Sequence, residues 1–188
     1  MITCICGEEF KNTKGNMKTA FMTWNMYLDH INTRQIYSNY HLEFPFRYVK
    51  SFHDLLEILK HVDNVSMGLD ELSVYFDCYQ GVSKHNGTWF FKNFARQTRK
   101  RTVKLYYTAQ SFGDVHRSIR VVTDKIYVLR KLHENGDECI DEFCLNQHWL
   151  EVTEAKSGIT NIYEVPLTLF QMYDSDEIVE FDEIKTCS

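Results

Sequence analysis

Residues 65–71 read Val65-Ser66-Met67-Gly68-Leu69-Asp70-Glu71, and the fold turns on how this stretch is understood. Val65 to Leu69 has the length and apolarity of a short buried strand. Asp70 and Glu71 follow where that strand would run out. Two adjacent carboxylates at a strand tip are costly unless a metal, a cation or water uses them. A second strand-like run, Val103 to Thr108, leads to Gln110. Between the two lies helix-compatible sequence. Leu72, Tyr75, Phe76 and Tyr79 are helically spaced, Gly81 to Gly87 is a polar break, and Trp89 to Lys100 resumes with Trp89, Phe90 and Phe94 inward. Strand, helix, strand predicts one parallel sheet. Ligands of such a sheet sit beyond the carboxyl ends of the strands, where Asp70, Glu71 and Gln110 would converge.

A site of that kind calls for a phosphate-binding loop, and the first twenty residues contain a candidate. Ile2 to Cys6 reads as a buried strand, Gly7 ends it, and a polar segment leads to Lys18-Thr19. From Ala20 onward Phe21, Trp24, Met26, Tyr27, Leu28 and Ile31 predict a helix that fades by Thr33. Strand, polar loop, Lys-Thr and helix is the order of a P-loop, whose form is G-x-x-x-x-G-K-[ST]. Here the loop is Asn12-Thr13-Lys14-Gly15-Asn16-Met17-Lys18-Thr19. Gly15 fits an internal glycine, whereas Asn12 and Met17 stand at the two other glycine positions. Asn tolerates a left-handed backbone; Met17 must find room where the backbone normally closes on phosphates. The alternative is a polar β–α loop that happens to contain Lys-Thr.

Working outward, residues Ile36 to Tyr48 suggest two short strands, or one strand and an extended loop around Pro45. Ser51 with Asp54 predicts a capping box opening a helix from Phe52 to His61. Its buried face would be Leu55, Leu56, Ile58, Leu59 and Val62. After Gln110, Asp114 to Ile119 predicts a short helix or turn. Lys125 to Leu132, Ile140 to Leu150 and Ile162 to Val165 predict strands, with His133 to Asp137 a turn between the first two. Short connections there favour antiparallel pairing. Leu167 to Tyr173 reads as a brief helix, and the acidic tail alternates enough apolar residues to pack.

Composition sets broad bounds. The 188 residues suit one domain, 1–188, with a core over about 1–132 and a strand-rich extension over about 133–188. A formal charge of −5 argues against a histone-like or coat-like binder. It says little against a ring whose few basic residues face a central channel, where local potential decides. Six spread cysteines without a leader-like segment point to reduced thiols in a cytosolic compartment. No apolar run approaches the roughly 20 residues that span a bilayer. Cys4 and Cys6 read as small buried hydrophobes. Cys139 and Cys144 with His148 are more suggestive of metal, but their spacing is loose, and we read no metal site there.

The chemistry that a P-loop reading assigns is specific. Lys18 would reach the β- and γ-phosphates of ATP, and the loop amides of residues 12–19 would hold the other oxygens. Thr19 and Asp70 would hold Mg²⁺, and Glu71 would orient and deprotonate the attacking water. Gln110 would sense the γ-phosphate. Each also has a bland explanation: Asp70 and Glu71 as charges favourable at a helix start, Gln110 as a turn cap. The basic run Arg96, Arg99, Lys100, Arg101 and Lys104 reads either as a solvated helix end or as a source of one arginine for a neighbouring subunit's nucleotide. Others of the run would then contact DNA phosphates. Arg117 and Arg120 offer a second cluster.

The stretch GLDELSVYFDCYQ, followed by FFKNFARQTRKRTVKLYYTAQSFGDVHRSIR, resembles the FtsK/HerA-type ATPases, especially the genome-packaging ATPases of membrane-containing DNA viruses of archaea. The filamentous-phage assembly ATPases of the zonula occludens toxin-like group share the plan. The resemblance covers about residues 1–132. It implies a RecA-like α/β P-loop fold, with a mainly parallel central sheet and a C-terminal antiparallel extension. It also implies an Asp-Glu Walker B pair at Asp70 and Glu71, a sensor at Gln110, and an arginine finger acting in trans. Arg99 fits the spacing best, with Arg101 next. The implied activity is ATP hydrolysis, with Mg²⁺, driving double-stranded DNA through a hexameric homo-oligomeric ring to package a viral genome. Capsid or internal-membrane proteins at the packaging vertex are the implied partners, in the host cytoplasm or on the procapsid. The departures at Asn12 and Met17 keep open a non-hydrolysing scaffold, and an export or assembly motor is the third reading.

Overall fold

A computed structural model describes residues 1–8, 17–72, 98, 100–139, 144 and 148–173. Among these residues the frame is an eight-stranded sheet. In chain order, β1 (Ile2–Cys6) precedes helix α1 (Lys18–Ile31), β2 (Gln35–Ser38), β3 (Arg47–Tyr48) and helix α2 (Phe52–His61). Then come β4 (Val65–Leu69), β5 (Lys104–Ala109), β6 (Lys125–His133), β7 (His148–Glu154) and β8 (Ile159–Glu164). The spatial order is β3-β2-β4-β5-β1-β6-β7-β8. Strands β3 to β6 of that order pair in parallel, while β7 and β8 join antiparallel. This is the mainly parallel, RecA-like α/β arrangement with an antiparallel C-terminal extension that the sequence predicts.

Strand alternation distributes the core over both faces of the sheet. Cys4, Cys6, Val65, Met67, Leu69, Leu105, Tyr107 and Ala109 point to one side and pack with Leu55 of α2, Leu72, Val115 and Ile119. Ile5 and Tyr106 point to the other, where Ala20, Met22 and Met26 of α1 meet them. The capping box of α2 forms as expected: the Asp54 N–H donates to Ser51 Oγ at 3.2 Å, and the Ser51 N–H donates to Asp54 Oδ2 at 3.0 Å. The thiols of Cys4 and Cys6 are buried, as small hydrophobes would be. Among the described residues, no helix is long and apolar enough to cross a membrane.

Several boundaries differ from expectation. α1 begins at Lys18 rather than Ala20, so the Lys18-Thr19 pair lies in its first turn. Residues 114–119 divide into a 3-10 turn, Phe112–Asp114, and a helical turn, Arg117–Arg120. The strand expected over 140–150 falls mostly on residues outside those described; within them, β7 runs from His148 to Glu154. Its inward residues are His148, Leu150 and Val152, alternating with partly exposed Trp149, Glu151 and Thr153. β8 begins at Ile159, three residues earlier than expected, because Gly158 in a left-handed conformation (φ 70°) closes a tight turn after β7.

Gly68 fixes how closely α1 approaches the sheet. A Cβ there would lie 2.2 Å from Met26 Sδ and 2.8 Å from Met26 Cε, inside the buried face of α1. Gly68→Ala is therefore expected to cost about 1–3 kcal/mol, the usual range for overpacking. Thermal unfolding should show the loss, whereas Gly68→Ala combined with Met26→Ala should recover part of it.

A candidate nucleotide site at the carboxyl edge of the sheet

β4 delivers Asp70 and Glu71, β5 delivers Gln110, and α1 presents Lys18 and Thr19, all at one edge. The Thr19 hydroxyl donates to Asp70, 3.0 Å from Oδ1 and 3.1 Å from Oδ2. Lys18 Nζ donates to Gln110 Oε1 at 3.1 Å, and Gln110 Nε2 donates to Glu71 Oε1 at 2.6 Å. One amide thus bridges the lysine and the carboxylate. The Gly7 N–H, where the chain leaves β1, donates to the Gln110 carbonyl at 3.2 Å.

Two residues that sequence reasoning assigned no role complete this arrangement. Thr108 Oγ1 donates to Asp70 Oδ1 at 2.5 Å and accepts the Glu71 N–H at 2.8 Å. Asn39, just past β2, clasps the Asp70 peptide: its Oδ1 accepts the Asp70 N–H at 2.8 Å and its Nδ2 donates to the Asp70 carbonyl at 3.2 Å. Thr108 was legible as the residue two before Gln110. Asn39 carried no local signal, because its position depends on the β2–β4 pairing.

Two of the left-handed residues among those described, Met17 and Glu71, lie at this site. Met17, which caps α1, has φ 57° and ψ 26°, the conformation for which a P-loop uses glycine at this position. Its side chain finds room against the α1-side core. Glu71 has φ 51°. Strain of this kind, about 1–3 kcal/mol per residue, gathers at functional sites. The Met17 side chain makes no cap hydrogen bond at the start of α1, and the positive end of a helix dipole favours an anion there.

Burial dominates the electrostatics. It pushes the Asp70 carboxyl up, against the hydroxyls of Thr108 and Thr19 and the Lys18 charge, which pull it down. Glu71 is also raised, first by burial and then by the Asp70 charge. Burial lowers Lys18, although Glu71 and Asp70 hold it up. The set is short of positive charge and rich in anion donors, so a divalent cation with a polyphosphate fits it. Because both carboxyls are raised in the folded chain, folding takes up protons as pH falls from neutral towards the ordinary carboxylate range. Their ionisation penalty grows as pH rises above the ordinary carboxylate range and disappears below it. Asp70→Asn is accordingly expected to stabilise the nucleotide-free chain at pH 7, with the advantage shrinking towards pH 4, as denaturant titrations at the two pH values would report.

The remaining expected site residues divide. Residues 12–16 of the phosphate loop and Arg99 lie outside the described residues. Lys104 does not belong to a solvated basic face; it forms an ion pair with the buried carboxylate of Asp29. Arg117 is exposed, and the Arg120 guanidinium is partly buried.

The fold defines the class: a RecA-like α/β P-loop fold, with acidic, hydroxyl, lysine and glutamine groups gathered at the carboxyl edge of its sheet. Solved structures share that fold. The N-terminal domain of zonular occludens toxin from Neisseria meningitidis aligns over 92% of this chain and 98% of its own, with a TM-score of 0.63 and 17% identity. The genome packaging NTPase of Sulfolobus turreted icosahedral virus 2, in complex with ATP-gammaS, covers 89% of this chain and 98% of its own (TM-score 0.55, 12% identity). The flagellar accessory protein FlaH from Methanocaldococcus jannaschii covers 88% and 85% (TM-score 0.53, 12% identity). No protein-family model and no curated protein sequence matches the chain.

Proposed function

We propose that this chain is an ATPase that drives double-stranded DNA and packages a viral genome into a preformed capsid, working as a homo-oligomeric, hexameric ring in the host cytoplasm or on the procapsid. The observation that carries the reading is the Gln110 bridge between Lys18 and Glu71, beside the Thr19–Asp70 contact. The likeness in fold to a genome packaging NTPase supports the choice of substrate and task.

The contacts support the following roles, and the role of Arg99 rests on its spacing in the sequence. Thr19 and Asp70 would hold Mg²⁺, which when bound offsets phosphate charge. Lys18 would exchange its Gln110 partner for phosphate oxygens. Gln110, released on that side, would keep its amide N–H on Glu71 and aim the carboxylate. Glu71, raised by burial, is poised to take a proton from water. Asn39 and Thr108 act as positioning residues, fixing the Asp70-Glu71 peptide. Arg99 is assigned in trans to a neighbour's nucleotide, with Arg101 next and Arg117 or Arg120 after them.

Phosphate release measured with Mg²⁺-ATP, with and without double-stranded DNA, tests the proposal. Turnover stimulated by DNA supports it. Turnover indifferent to DNA counts against packaging and leaves an assembly or export motor. Nucleotide binding without turnover, in an assembled ring, assigns the chain to a scaffold. Mixing Arg99→Ala with Glu71→Gln subunits tests the finger: partial recovery of activity supports a contribution across the interface.

A further inference from the structure

A second group of ligating side chains lies outside the nucleotide site. His133 ends β6 and His148 begins β7, and the two form the last cross-strand pair of that antiparallel ladder. Their rings lie 5.4 Å apart between centroids. The connection between them brings Cys139 and Cys144 to the same point. One ligand atom from each of the four residues lies within 4.8 Å of every other. We propose that His133, Cys139, Cys144 and His148 form a structural zinc site that closes the end of the β6–β7 hairpin.

The local backbone builds this convergence. The chain turns immediately after His133: the Gly136 N–H donates to the His133 carbonyl at 2.9 Å, and the His133 N–H to the Asp137 carbonyl at 2.8 Å. Gly136 takes the left-handed conformation the turn needs (φ 88°). The chain then runs back along β6, where Leu132 bridges Glu138 and the Cys139 N–H donates to the Lys131 carbonyl at 2.8 Å. Cys139 is thereby folded under the histidine pair, and it is buried.

A second observation points to a ligand. His148 is 5% exposed, and its Nε2 is buried without a hydrogen-bond partner. A buried polar atom left in that state costs about 1–3 kcal/mol, and coordination would satisfy it. Ligand chemistry selects the ion. Two thiolates and two imidazoles suit zinc and exclude magnesium or calcium, which take oxygen ligands. Tetrahedral bonds of about 2.0–2.3 Å place ligand atoms roughly 3.3–3.8 Å apart, so the four side chains need to contract by only about 1 Å. Four protein ligands leave no open position, which makes the site structural rather than catalytic. Arg130 adds ion pairs to Glu138 at 3.5 Å, Glu151 at 3.2 Å and Glu8 at 3.0 Å.

The test begins with the full-length chain, untagged and purified without chelator. Elemental analysis should find about one zinc per chain. After chelation, added Co²⁺ should give the visible thiolate-to-metal absorption of a tetrahedral site. Cys139→Ser with Cys144→Ser should lower zinc content about tenfold or more. Should that variant fail to fold, the unmodified chain still decides the matter. Alkylation of Cys139 and Cys144, mapped by peptide mass, should be about tenfold or more slower with zinc than after chelation. Equal alkylation rates, a chain that cannot compete with a chromogenic chelator for Zn²⁺, or a Cys139–Cys144 disulfide in reduced preparations would each overturn the proposal.

Discussion

Glu71→Gln is expected to lower ATP turnover by about 10²–10⁴-fold, the range that a general base contributes, while nucleotide binding persists. The substitution keeps the side chain's length and its carbonyl oxygen, so the 2.6 Å bond from Gln110 Nε2 can still form. What is lost is the capacity to accept a proton. Backbone strain at φ 51° is nearly unchanged, because Gln and Glu pay similarly for a left-handed conformation. Since burial and the Asp70 charge raise the native carboxyl, the neutral variant should unfold at a slightly higher temperature. Activity and stability then move in opposite directions, which separates a lost base from a damaged fold. Phosphate release, fluorescent-nucleotide binding and thermal denaturation on one preparation measure all three. Turnover within a few-fold of the parent would remove Glu71 from the reaction.

The largest expected effect on stability lies at the other edge of the sheet. Asp29, on the last turns of α1, is 4% exposed. Its Oδ2 accepts from the Ser66 hydroxyl at 2.7 Å and from the Tyr106 hydroxyl at 3.0 Å, and its Oδ1 pairs with Lys104. Arg34 extends the network, donating to Ser66 Oγ at 2.8 Å, to the Val65 carbonyl at 2.7 Å and to the Thr102 carbonyl. Asp29→Ala would strand two buried hydroxyl donors and a cation. Breaking a buried pair costs about 3–5 kcal/mol, and the one-third exposure of Lys104 favours the low end. For a chain of this size about 3 kcal/mol lowers the melting temperature by roughly 6–12 °C. Asp29→Asn keeps acceptor oxygen and should lose less. A melting temperature unchanged by Asp29→Ala would show that the network is dispensable.

The two sites differ in how far the sequence foretold them. Asp70, Glu71 and Gln110 were legible because each follows a short apolar run that only a buried strand explains, and strands in parallel place their ends together. Lys18 and Thr19 were legible from the order of strand, loop and helix. Asn39 and Asp29 were not. Each acquires its partners across strands separated by about thirty residues or more, as with Asn39 on Asp70 and Asp29 on Ser66 and Tyr106. Asp29 falls between Leu28 and His30 on an amphipathic helix, where an acidic residue ordinarily faces water. The local sequence places His133 in a turn, and only the β6–β7 register brings it opposite His148. By sequence Met17 is awkward for lack of glycine, yet the backbone takes the left-handed turn regardless and the side chain is accommodated by packing.

The position of β1 bears on how the chain is made. It lies between β5 and β6, so Ile2 aligns with Leu105 and Thr3 with Lys125. Neither flanking strand exists until more than a hundred residues have followed it out of the ribosome. At synthesis rates of about 5–20 residues per second, the first strand waits roughly 5–20 s with both hydrogen-bonding edges bare. Contacts this distant in sequence also slow folding from the denatured state. An emerging chain stopped after β4 would hold an apolar segment, Ile2 to Cys6, with no sheet to enter, and it should bind holdase chaperones or aggregate. Release of such a nascent chain from chaperones should coincide with the emergence of β5 and β6, rather than with completion of α1 and the strands that follow it directly.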